Sequence, residues 1–174
     1  IIDYINGNGP PDGQLRITMF NNMVVALTAT IEEVIRSIFS EYLLVLQEGI
    51  ADHRRLPRSL QNANLDASIS LLKKLKKDDE IDRRATIALN FEKCVKGKPH
   101  YNLIFEEITY NEGNCRTTKI TDIAKRSGIS EILKKIGDCK EFEDWTAQSH
   151  LDTRVTTLTT RWNDIFDERD LVVH

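Results

Sequence analysis

Residues 14–48 read QLRITMFNNMVVALTATIEEVIRSIFSEYLLVLQE, and the fold class turns on their periodicity. Phe20, Val24, Leu27, Ile31, Val34, Ile38, Tyr42 and Val45 recur at steps of three and four, which lays one apolar stripe along a helix. Gly49 follows as a C-terminal stop. At ~1.5 Å per residue such a helix is about 50 Å long, either the spine of a bundle or a helix broken once. Its flanks are apolar too (Met23, Val25, Leu43, Leu44, Leu46), and that breadth predicts contact on more than one side, as in a central or interface helix.

Working outward, residues 1–13 form a turn-rich leader ending in Pro10, Pro11, Asp12 and Gly13, with Asp12 placed to cap the helix. Gly7 and Gly9 lie in it, but no Gly-Lys-Ser/Thr follows, so a phosphate-cradling loop is not supported. Residues 50–64 read as a loop carrying a basic cluster of His53, Arg54, Arg55 and Arg58. A solvated loop explains the cluster. Contact with a phosphate backbone also does, because guanidinium groups grip phosphate bidentately. A short helix is expected over 65–77. Basic Lys73 to Lys77 then meets acidic Asp78 to Glu80, the order that helix dipoles favour at one C-terminus and the next N-terminus.

A helix is expected over Ile81–Lys96, stopped by Gly97 and Pro99. Residues 101–109 suit a helix or a strand, and residues 111–114 a turn. Thr121 and Ser130 are placed as caps of helices over 122–126 and 131–136. Residues 140–168 predict one last helix. Thr153 to Thr160 are poor helix formers, yet Leu151, Val155, Leu158, Trp162 and Ile165 keep steps of four and three. Trp145 and Trp162 are expected in the core. The sum is an all-α domain, a bundle of five to seven helices over residues 14–174.

Composition agrees with a folded domain. Of 174 residues, 40% are hydrophobic and 29% charged, which excludes disorder and fibrous repeats. A chain of this length buries about 70% of its unfolded surface and needs no staples. The net charge of −3 argues against a generic nucleic-acid coat but leaves room for a local basic site. Cys94, Cys115 and Cys139 are odd in number and far apart, so a cytoplasmic setting is expected rather than a disulfide framework. Neither they nor the four histidines show metal-ligand spacing, so no cofactor is expected. No apolar stretch is long enough for a membrane. The chain opens on Ile1 and stops at His174, which reads as a piece of something longer.

The common motifs of hydrolases, metalloproteases and dinucleotide binders are missing. What carries chemistry is the end of the last helix, Glu168-Arg169-Asp170-Leu171-Val172-Val173-His174. Arginine is a permanent cation suited to phosphate, and histidine moves protons near neutral pH. Together they can do phosphoryl chemistry without a metal.

This string resembles the R-x4-6-H motif of HEPN domains, all-α bundles found in ribonuclease toxins, phage-defence systems and CRISPR effectors. The long apolar first helix, Leu56-Pro57 and the mid-chain Ile129-Ser130-Glu131-Ile132-Leu133 resemble the RiboL-PSP-HEPN branch. The resemblance implies a metal-independent, homodimeric endoribonuclease with RNA as its partner, together with an antitoxin or further defence-system domain. It implies catalysis by Arg169 and His174, with Asp170 where the family commonly has asparagine. His174 would serve as general base or acid, and Arg169 would hold charge on the phosphorane oxygens. Arg54, Arg55 and Arg58 are candidate RNA contacts.

Geometry constrains that site. Five residues at ~100° each leave Arg169 and His174 about 140° apart on a continuous helix. Either the helix breaks near Leu171, or two copies assemble the site across a twofold axis, as the resemblance implies. Two other readings stay open. Arg169 and His174 can simply satisfy the last carbonyls of a helix, in a non-catalytic dimerisation or RNA-binding scaffold. The domain can also bind nucleotides without cleaving RNA.

Overall fold

The computed structural model describes residues 13–75, 80–110 and 114–173, and all regular structure among them is helical. Eight α-helices follow in order: α1 (Gly13–Gly49), α2 (Arg58–Lys74), α3 (Ile81–Lys96), α4 (Phe105–Thr109), α5 (Thr117–Arg126), α6 (Ile132–Gly137), α7 (Lys140–Thr146) and α8 (Leu151–Val173). A single 3₁₀ turn, His53–Arg55, precedes α2. The leader with Asp12, the lysine-to-aspartate switch at 76–79, the turn at 111–113 and His174 lie outside the described residues.

The first helix is unbroken, the first of the two alternatives its length allowed, but the face it buries is not the predicted one. Phe20, Leu27, Val34, Ile38 and Val45, all members of the predicted stripe, are exposed. Thr28, Phe39 and Leu43 are buried instead. The helix carries two apolar faces, and the bulk of Phe39 and Leu43 takes the core. Two clusters divide that core. Leu43 joins Leu56, Leu60, Ala67, Cys94, Tyr101 and Ile108 in one. Phe39 joins Cys115, Ile120, Ile123, Ala124 and Phe166 in the other, with Trp162 packed against it. So α1 links the α2–α3 end of the bundle to the α5–α8 end.

Helix boundaries moved where side chains took over backbone bonds. Residues 58–64, expected as loop, form the first turns of α2 after Pro57, where Gln61 donates to the carbonyls of Arg54 (2.9 Å) and Leu56 (2.7 Å). The single last helix expected over 140–168 is broken at Ala147, in the left-handed region at φ 51°. Buried Arg154 organises that break, donating to the carbonyls of Gly137 (2.7 Å), Gln148 (2.9 Å) and Ser149 (3.2 Å). Trp145, expected in the core, is 65% exposed on α7 against Phe142. Thr121 sits inside α5 rather than capping it, its hydroxyl donating to the Thr117 carbonyl at 2.8 Å. Ser130 likewise precedes a helix entered through Glu131, which has φ 52°.

Residues 101–104 have no regular structure and are bonded to α1, α2 and α3. An irregular segment inside a helical core has no intrahelical partners, so side chains must satisfy it. The Asn102, Leu103 and Ile104 amides donate to Asn90 (2.7 Å), Gln47 (2.6 Å) and Asn64 (2.9 Å). The Asn90 amide returns a bond to the Asn102 carbonyl at 2.8 Å. Tyr101 donates its hydroxyl to the Ile50 carbonyl at 2.9 Å.

Candidate functional site at the end of the last helix

The C-terminal half of α8 lies against residues 114–117, the stretch that leads into α5. Five contacts fasten the two. Trp162 Nε1 donates to the Cys115 carbonyl at 2.7 Å, and Asn163 accepts from the Thr117 amide (3.1 Å) and hydroxyl (3.2 Å). Arg116 spans two acids one turn apart, Asp167 at 2.6 Å and Asp170 at 2.8 Å. From α1, Glu32 accepts from the Cys115 amide at 3.2 Å.

Asn114 completes the arrangement. Its Nδ2 donates to Asp170 Oδ1 at 2.6 Å, and its Oδ1 accepts from Arg169 Nη1. Arg169 also lies 3.7 Å from Asp170 Oδ1. The two candidate residues Arg169 and Asp170 are thus brought together, each half-exposed, through a common amide. Asn114 and the guanidinium of Arg116 hold the Asp170 carboxyl below the usual carboxylate range. It is therefore an anion across the physiological range and acts as a hydrogen-bond acceptor there, not as an acid.

The helix is unbroken at Leu171 and runs to Val173. Of the two geometries expected for the motif, the break does not occur. His174 lies outside the described residues, so its distance to Arg169 is not part of this geometry.

Arg54, Arg55 and Arg58 sit at the other end of the bundle, around the 3₁₀ turn, and share no contact with Arg169 or Asp170. Asp52 caps that turn and holds Arg54 in a fork, with Nε at 3.1 Å and Nη2 at 2.9 Å. The Arg54 side chain lies across Gly97, whose φ of 64° and lack of Cβ both permit the approach. Arg58 reaches Gln61 at 3.5 Å, and Arg55 is exposed. His53, read in sequence as part of this cluster, is buried: it accepts from Asn64 at 3.3 Å and meets Tyr101 edge-on. Burial lowers its pKa, against the opposing pull of Asp52 and of the Cys94 backbone, so it is a neutral core residue.

Burial pushes the thiols of Cys94 and Cys115 up to about 11, which leaves them protonated and unreactive. Among the described residues no three of His, Cys, Asp and Glu gather where a metal ion could be held. No described helix is long and apolar enough to cross a membrane. Asn114 and Arg116 carried no signal in sequence, since their partners lie more than fifty positions away.

The architecture defines the class: an all-helical bundle with a polar clamp at the end of its last helix. No protein-family model, curated protein or solved structure matches the chain.

Proposed function

We propose that the chain is a metal-independent endoribonuclease of the HEPN type that acts as a homodimer in a toxin or phage-defence module. The reading rests on α8, which stays helical through Val173. Five residues of continuous helix turn by about 140°, so a motif of this spacing on one continuous helix would not converge on one phosphate. A second copy removes the difficulty. The outer stripe of α1, including Leu27, Val34, Ile38 and Val45, supplies an apolar face for it that the monomer leaves in solvent.

In the composite site an RNA 2′-hydroxyl attacks the adjacent phosphorus and the 5′-oxygen leaves, giving a 2′,3′-cyclic phosphate and a 5′-hydroxyl. His174 accepts the hydroxyl proton or supplies one to the departing oxygen, and Arg169 neutralises the phosphorane oxygens. Asp170 takes a positioning role: it orients Asn114, and Asn114 orients Arg169. Arg55 and Arg58 are the better placed of the three candidate arginines for an RNA backbone, because Arg54 is engaged by Asp52.

One observation favours a second reading, a non-catalytic dimerisation or RNA-binding scaffold: Arg169 and Asp170 already have intramolecular partners. Incubation of the purified chain with an unstructured labelled RNA in EDTA separates the two. Cyclic-phosphate-ended products that disappear in Arg169→Ala support the nuclease; intact RNA with a stable dimer supports the scaffold.

A further inference from the structure

A groove of about 750 Å³ opens between α2 and α5, with the end of α4 at its rim. None of its lining residues belongs to the clamp around Arg169. Ala63 and Ala67 give α2 a recessed surface here, and the space is in the range that small-molecule sites occupy.

The polar groups in it are sorted by wall. On α2, Ser59, Asn62 and Asp66 present hydroxyl, amide and carboxylate groups. On α5, Lys119 and Lys125 present ammonium groups, and among the described residues neither has an ion pair. Of the remaining charges, Glu107 is held by Lys74 at 2.7 Å, and Asp122 stands on α5 between the two lysines in sequence and acts on Arg126. Arg126 itself donates to the carbonyls of Glu107 (3.3 Å) and Tyr110 (2.7 Å), so it builds the rim. That bond pins the backbone of Tyr110, a residue 52% exposed at the mouth of the groove, with Lys74 Nζ 5.9 Å from the centroid of its ring.

A ligand matching this layout has a flat ring to stack on Tyr110. It has a donor- and acceptor-bearing edge for Asn62 and Asp66, and an anion for Lys119 and Lys125. We propose that the α2–α5 groove binds a nucleoside phosphate, either a free nucleotide or one unit of a single-stranded nucleic acid. The site does not rest on the nuclease reading, because a groove for nucleotides works with or without cleavage elsewhere.

The test is isothermal titration of the full chain with AMP, GMP, CMP and UMP, with the matching unphosphorylated nucleosides, and with an eight-nucleotide 2′-O-methyl RNA that cannot be cleaved. The expected result is binding of at least one nucleotide, weakened about tenfold or more in Lys119→Ala/Lys125→Ala and insensitive to those changes for the bare nucleoside. Tyr110→Ala should weaken nucleotide and nucleoside alike, by roughly 5- to 150-fold for a lost stack. A mononucleotide that binds as well as the oligomer identifies a free-nucleotide site, and an oligomer that binds far more tightly identifies a strand. No binding at millimolar ligand, or binding indifferent to Lys119, Lys125 and Tyr110, overturns the proposal. Amide shift mapping on the unaltered chain guards against a misfolded variant: shifts confined away from α2 and α5 also overturn it. Loss of RNA cleavage in Arg169→Ala bears only on the nuclease.

Discussion

Asn114 stands between Arg169 and Asp170, accepting from the first and donating to the second at 2.6 Å. One amide therefore sets the orientation of both motif residues from a segment 55 positions earlier in the chain. In Asn114→Ala the guanidinium loses that constraint while the core is untouched. Cleavage should fall about 10- to 100-fold, the order expected when a catalytic group is misplaced by an ångström or so. The melting temperature should hardly move. Single-turnover cleavage of a labelled RNA beside a thermal melt reads both; an unchanged cleavage rate means that Asn114 positions nothing.

The outer stripe of α1 should hold the dimer. Leu27 and Val34 are 53% and 50% exposed, so Leu27→Lys/Val34→Glu removes no buried volume. Light scattering at micromolar concentration should give twice 20.0 kDa for the unaltered chain and 20.0 kDa for the variant, with helical circular dichroism retained in both. Cleavage should vanish with the dimer. A folded unaltered chain that is already a monomer removes the composite site.

Asn64 should be among the least replaceable residues in the fold. It is fully buried, accepts from the Ile104 amide at 2.9 Å, and donates toward His53, Cys94 and the Asn102 carbonyl. Asn64→Leu strips those partners without satisfying them, and each buried group left unmade costs about 1–3 kcal/mol. Urea unfolding should show a loss at the upper end of that range or beyond. A loss within the ±0.5 kcal/mol typical of surface sites would show that the segment 101–104 is held by packing instead.

What sequence revealed of this fold divides along physical lines. Helix existence in α1 and α3 was legible because periodicity and a terminal glycine are local signals; α3 keeps the expected span, Ile81–Lys96, and ends at Gly97 in the left-handed region. Which face of α1 is buried was not legible, because apolar residues cover two faces and only the partners on α5 and α8 decide between them. The break at Ala147 was hidden because the carbonyls it exposes are satisfied by Arg154, a residue that looks like surface in sequence. The motif pair Arg169–Asp170 was readable, whereas Asn114 and Arg116 were not, since only the folded chain brings them to α8.

His53 should make the fold sensitive to mild acid. Its folded-state pKa is lowered by burial, while the unfolded chain titrates near ~6.5. Below that value the unfolded chain takes up a proton that the folded chain refuses, so stability falls as pH drops from about 6.5 and levels off beneath the folded value. The charge of Asp52 and a bond to the Cys94 backbone pull the other way, but burial outweighs both. Melts from pH 7.5 to 5 should show the decline, and His53→Gln should flatten it. An equal decline in the variant would assign the effect to other groups.

Arg169 and His174 should act together in cleavage and contribute little to the fold. Arg169 is half-exposed, its side chain retaining 31% of its accessible surface, so truncation opens no cavity. Its loss leaves Asn114 and Asp170 still bonded to each other, and Asp170 still paired with Arg116 at 2.8 Å. The cost to stability should therefore stay within about 1 kcal/mol. Cleavage should drop far more, about 10²- to 10⁴-fold for either residue, the contribution typical of a general base or of a donor to a developing anion. The double variant should be scarcely worse than either single, because both serve one transition state. If the two residues only finish the helix, the order reverses: circular dichroism melts shift downward and whatever cleavage exists persists. Arg169→Ala, His174→Ala and the double variant, each measured for melting and for cleavage of a labelled single-stranded RNA, separate those outcomes. Retained cleavage in all three, with lowered melting points, would leave the clamp at the end of α8 as a structural device and the bundle as a scaffold.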